Sequence, residues 1–111
     1  MTETIYAFKK DTSGRDELRA EMKRMERLLT QIGAVPLTER LEHLSLDRDT
    51  WVIKNIWHVN KVEVQGIIRE PDEYRAQVNV YAENRIHPKR ETKVLRPVRK
   101  MLEREGYTPL N

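Results

Sequence analysis

The stretch YRAQVNVYAE, Tyr74–Glu83, governs how the rest of the chain is read. Tyr74, Ala76, Val78, Val80 and Ala82 alternate with Arg75, Gln77, Asn79, Tyr81 and Glu83. Side chains of a strand point alternately to its two faces, so this pattern predicts a strand over about 74–83 with one face dry and one wet. Upstream, Val62, Val64, Gly66 and Ile68 keep the even phase, whereas Trp51, Ile53, Trp57 and Val59 are odd. A two-residue turn at Asn60-Lys61 accounts for the change and pairs Val59 with Val62, Trp57 with Val64, Asn55 with Gly66 and Ile53 with Ile68. A three-residue turn at Pro71-Asp72-Glu73 pairs Ile68 with Ala76 and Val64 with Val80. Both turns keep the apolar residues on one face, and a slip of one residue would turn them all to the other. The expected core of the fold is therefore an antiparallel meander of strands at about 51–59, 62–69 and 74–83. Leu41–Leu46 offers a fourth strand, at about 40–46, joined through the polar turn Asp47–Thr50. A rival reading makes Trp51–Asn60 a helix capped by Thr50. TIYAFKK, near the N-terminus, is a candidate short strand.

A helix at about 14–32 precedes the meander. Leu18, Met22, Met25, Leu29 and Ile32 recur at steps of four and three, which is a helical stripe. Ser13 is the expected N-cap, Asp16 and Glu17 suit the positive end, and Gly33 and Pro36 stop the helix. The stripe suits packing on a sheet, or pairing with a second copy of the chain. A last helix at about 92–105 ends at Gly106 and turns Val94, Val98, Met101 and Leu102 inward. Pro97 requires that this helix either start there, with proline in its first turn, or begin near Thr92 and kink. The fold class expected is α+β, with both helices on one face of an antiparallel sheet in a single domain over residues 1–111.

The chain has 111 residues, no cysteine and a net charge of +3. Disulfides, thiol chemistry and cysteine-type zinc sites are excluded, and a reducing cytoplasm is the expected setting. No apolar run is long enough for a membrane span and no signal peptide is recognisable. His43, His58 and His87 stand in no metal-ligand spacing, so no metal or other cofactor is expected. Neither a nucleophile elbow nor a glycine-rich phosphate loop occurs.

The charge is unevenly spread. NRIHPKRETKVLRPVRK, Asn84–Lys100, holds seven Lys/Arg residues against the single acid Glu91, and everything outside it sums to −3. On a helix from about Thr92, Lys93, Arg96, Lys100 and Arg104 share one side, opposite Val94, Val98 and Leu102. Arg99 and Glu103 form a four-residue pair. Arg85, Lys89 and Arg90 lead in. Tyr81, on the polar face of its strand, is the aromatic best placed to stack on a base. The candidate nucleic-acid-binding residues are thus Tyr81, Arg85, Lys89, Arg90, Lys93, Arg96, Arg99, Lys100 and Arg104. Arg19, Lys23 and Arg27 make a second basic stripe on the first helix. A stripe of this kind suits phosphate contacts that release counterions, without a base-reading code.

The order helix, three strands, helix, with Lys89, Arg90 and Lys93 opening the last helix, is similar in outline to the double-stranded RNA-binding domain. That resemblance implies lysines of the last helix on phosphates across a groove. The chain departs from the pattern in lacking its lysine-lysine-x-alanine-lysine run, which Glu91 interrupts. Pro71-Asp72 followed by Glu91-Thr92-Lys93 resembles the loose signature of PD-(D/E)xK nucleases, which implies Asp72 and Glu91 on Mg²⁺ and Lys93 positioning water. The leading expectation is a non-enzymatic accessory or regulatory protein that binds DNA or RNA. By association alone, such compact, charged chains suit phage or mobile-element proteins. The alternatives are a protein-binding module, an inhibitor or assembly factor, that docks on an acidic partner, and, more remotely, the Mg²⁺-dependent nuclease. Two copies could pair to bury more surface.

Overall fold

A computed structural model describes residues 3–36, 48–54, 59–82 and 96–110. The expected strand at 40–46, the start of the last helix at 92–95, and all three histidines lie outside the described residues. The elements run β1 (Glu3–Asp11), α1 (Arg15–Gln31), β2 (Val35–Pro36), β3 (Arg48–Lys54), β4 (Val59–Arg69), β5 (Glu73–Ala82), α2 (Arg96–Arg104) and β6 (Thr108–Pro109). The strands form one antiparallel sheet in the order β2-β3-β4-β5-β1-β6. Both helices contribute to a single core on one face, so the fold is α+β.

The alternation in β5 sets that core. Ala76, Val78 and Val80 are fully buried, and their β4 neighbours Val62 and Val64 are buried beside them. Trp51 of β3 joins them, which removes the helical alternative for Trp51–Asn60. The turns differ from expectation. Asn60 and Lys61 lie inside β4, where Asn60 pairs with Ile53, and Val62 pairs with Trp51 rather than Val59. The second turn occupies residues 70–72, so Val64 faces Val78 and Gly66 faces Ala76. Both registers slid by an even number of residues. An even slide keeps Trp51, Val62, Val64, Ala76, Val78 and Val80 on their expected face, so for these residues the face assignment survived where the partner assignment did not, whereas Val59, now three residues before Val62 in the same strand, is out of phase with it.

β1 is longer and more central than the sequence suggested. It pairs with β5 from Glu3 to Asp11, with a register shift between Thr4 and Tyr6, and its other edge takes β6. Phe8 is buried and Tyr6 packs half-buried beside it, their rings edge to face at 5.5 Å. The next residue in that phase is Lys10, which breaks the apolar pattern. β1 therefore precedes the first helix as a full member of the sheet, which the helix–three strands–helix outline of the double-stranded RNA-binding domain lacks.

α1 buries Leu18, Met22, Met25 and Leu29 over β4 and β5, with Ile32 half-buried at its end. Fully burying one such side chain stabilises the fold by roughly 1.5–3 kcal/mol. The expected cap is displaced by one residue. Gly14 occupies the cap with no side-chain bond, while the amide and hydroxyl of Ser13 both donate to the Glu17 carboxylate. α2 contributes Val98, Met101 and Leu102, and Pro97 sits in its first turn, where its missing amide hydrogen leaves no helical bond unmade.

The two helices end alike. Gly33 and Gly106 adopt φ of +92° and +88°, a conformation that side chains resist. The amide of the following residue then reaches back five positions, Ala34 to the Leu29 carbonyl and Tyr107 to that of Leu102, both at 2.9 Å. Ala34 and Tyr107 are buried, and each chain segment continues into a two-residue strand closed by proline, Val35–Pro36 against β3 and Thr108–Pro109 against β1.

Candidate nucleic-acid interface

α2 is held by its inward residues, and this fixes where its cations point. With Val98, Met101 and Leu102 in the core, Arg96, Lys100 and Arg104 recur every fourth residue on the outer side. Arg96 and Lys100 are exposed, and no carboxylate among the described residues pairs with either. Arg104 is 70% exposed, and its nearest acid is Glu105 at 3.9 Å. At ~1.5 Å per residue the row from Arg96 to Arg104 is ~12 Å long. Arg99 lies on another flank, half-buried, and donates to Glu103 at 3.1 Å. Arg85, Lys89, Arg90 and Lys93 fall outside the described residues.

Tyr81 belongs to a different surface. The alternation that buries Val80 directs Tyr81 to the face of the sheet opposite the helices. There its hydroxyl donates to Glu63 at 3.3 Å. The same face carries a polar network in which Gln77 donates to Asn79 at 3.0 Å, and Asn79 donates to Glu63 at 3.2 Å and to Gln65 at 3.1 Å. Tyr81 thus stands apart from the α2 row, with the thickness of the sheet between them.

Beside the α2 row lies a hollow of about 350 Å³ between the end of α1 and the outer flank of α2. Ile32, Pro97 and Met101 supply its apolar lining, and Arg96, Lys100 and Arg104 its cations. Periodicity could not reveal it, because Ile32 and Met101 are neighbours only once the helices are packed.

A second cationic place has the opposite character. Lys10 reaches inward from β1 and donates to Glu21 at 3.1 Å and to the Glu105 carbonyl at 3.2 Å. Arg24 donates to Glu21 at 2.6 Å and to Glu105 at 2.5 Å. Glu21 is only 6% exposed, and the Lys10 ammonium lies 5.8 Å from the Tyr107 ring centre. The knot joins β1, α1 and the segment after α2. Hydrogen bonding from Arg24 holds the Glu105 carboxyl below its ordinary range, as Ser13 does for Glu17, while burial pushes the Tyr107 phenol up. A hollow of about 260 Å³ opens beside the knot, with Arg27 on its wall. The sequence did carry a signal for Glu21, since it follows Leu18 by three and precedes Met25 by four, within the buried stripe. Arg19, Lys23 and Arg27 are exposed on α1 and form no ion pair among the described residues.

The nuclease-like pattern gains no built site among the described residues. Asp72 is exposed on the turn between β4 and β5, and Glu91 and Lys93 lie outside the described residues. No group of three or more His, Asp or Glu suited to a metal ion occurs among the described residues. None of the described helices is long and apolar enough to cross a membrane. No protein-family model, curated protein or solved structure matches the chain.

Proposed function

We propose that the chain binds nucleic acid, gripping the phosphate backbone through Arg96, Lys100 and Arg104 and the basic segment that leads into them, as an accessory or regulatory factor and not as an enzyme. One observation supports this reading above the others. Arg96 and Lys100 stand exposed on one helix side with no carboxylate partner among the described residues, and Arg104 extends the same line. Cations already paired with acids gain little from a polyanion, whereas unpaired ones exchange loosely held counterions for phosphates and release the condensed ions around the polymer. The seven bases against one acid in Asn84–Lys100 add to the local field. With few groups placed to read base edges, phosphate contacts supply most of the affinity.

Fluorescence anisotropy with labelled mixed-sequence oligonucleotides tests the proposal. Affinity should fall steeply as salt rises from about 50 to 200 mM. Replacing Arg96, Lys100 and Arg104 together by Ala should weaken binding at least about tenfold and flatten the salt dependence by about two to three units of slope. Absence of binding at low salt, or unchanged binding by the triple variant, overturns it.

A further inference from the structure

The hollow beside α2 asks more of a ligand than charge. Its apolar lining, Ile32, Pro97 and Met101, adjoins the cations that the proposed function assigns to phosphates. It is an open hollow of about 350 Å³, shallow enough to cover one face of a planar group and not to enclose it. A duplex keeps its bases stacked and offers this surface phosphates and sugars, which leaves the apolar lining wet. An unpaired strand can turn a base outward, bury one of its faces on aliphatic groups, and keep its phosphates within reach of neighbouring cations. The arginines at both ends of the row, Arg96 and Arg104, can lay a guanidinium plane against that base while Lys100 serves as a point charge between them.

We infer that the interface prefers single-stranded nucleic acid and seats one unstacked base in the hollow on Ile32 and Pro97, over the buried Met101 and between the cations of α2. The inference rests on the phosphate-binding reading and adds to it the form of the polymer. The order of dependence is clear from the chemistry. The cations hold any polyanion, and the hollow discriminates among polyanions of equal charge.

Three probes separate these contributions, each made in DNA and RNA: a mixed-sequence single strand, the same strand annealed to its complement, and a single strand of equal length in which the bases are replaced by abasic sites. The intact single strand should bind at least about fivefold more tightly than the abasic strand, and more tightly than the duplex per binding site. Ile32→Asn, which makes the lining polar without adding charge, should bring the intact strand down to the abasic level and leave abasic binding unchanged. Its thermal unfolding, followed by circular dichroism, should remain a single cooperative transition well above the assay temperature, though lower than the parent's because Ile32 packs on the core, and Ile32→Ala provides a milder variant if it does not. Equal binding of all three probes overturns the inference and leaves phosphate binding standing. Failure to bind any of them at low salt, together with binding of an acidic amphipathic peptide, overturns both.

Discussion

Two cationic regions of this protein use the same residue types to opposite ends. In the knot, Lys10 is spent on the Glu21 carboxylate and the Glu105 carbonyl, and Arg24 on the carboxylates of both Glu21 and Glu105. In the row of Arg96, Lys100 and Arg104, the described residues hold one acid near a cation, at 3.9 Å. The knot joins three segments distant in sequence, and the row sits on one short helix. Basic composition therefore does not mark a binding surface by itself. What matters is whether the fold has already supplied the counter-charge. A buried ion pair costs desolvation that its attraction barely offsets, so its partners are sensitive to loss. Exposed cations contribute little to stability and can be removed without harm to the fold.

The largest effect expected from this contrast is that of Glu21→Ala. It leaves Lys10 and Arg24 partly buried against a missing carboxylate, and should lower stability by about 3 kcal/mol in urea unfolding. A loss near zero would mean that solvent already screens the knot. A matched pair of cation removals comes next. Arg24→Ala should cost about 2 kcal/mol, whereas Lys100→Ala should change stability by less than about 0.5 kcal/mol. In oligonucleotide binding the order should reverse, with Lys100→Ala the more damaging. The same order in both assays would erase the distinction between the two regions.

Smaller effects sharpen it. Gly33→Ala and Gly106→Ala each force a side chain into positive φ, at about 1 kcal/mol. A Cβ at Gly106 would meet Lys10 at an ordinary 3.8 Å and one at Gly33 would meet nothing within 4 Å, so the two costs should agree. A larger cost at Gly106 would show that the knot constrains the second helix end more than the contact distance implies. The smallest effect is in acid. The Glu105 carboxyl is held below its ordinary range by Arg24, so its contribution is present above the unfolded value and is lost as pH falls through the lowered folded one. Thermal unfolding followed from neutral pH down to about pH 2 should show Glu105→Gln with a shallower acid decline, and Lys100→Ala with the decline of the parent.

The fold was legible where one residue pattern had one physical cause. The stripe Leu18, Met22, Met25 and Leu29 gave α1, and the alternation in β5 gave the central strand and its buried face. Register was not legible, because a sheet with one dry face penalises odd slips and tolerates even ones, and both errors were even. β1 was weakly legible because Lys10 occupies an inward position that only Glu21 and the Glu105 carbonyl, remote in sequence, make tenable. At the candidate site, helical spacing correctly aligned Arg96, Lys100 and Arg104 on one side. The alternation had already put Tyr81 on the polar face, away from the helices, but spacing could not show that its hydroxyl would meet Glu63 there, nor that Ile32 would meet Met101 beside the row. Those relations belong to packing between elements.

The matched helix endings carry a consequence for how copies of the chain meet at high concentration. Strands at a sheet's border can template the addition of further strands, the route by which many β-rich chains grow into fibres. Here the described border strands are two residues long, and Pro36 and Pro109 bring no amide hydrogen to a ladder. Growth outward from the described part of either is curtailed after a single residue able to donate, which blunts the sheet where these two strands lie. The two borders thus offer a further copy of the chain little to pair with, in contrast to the open row of cations that the proposed function gives to a polyanion.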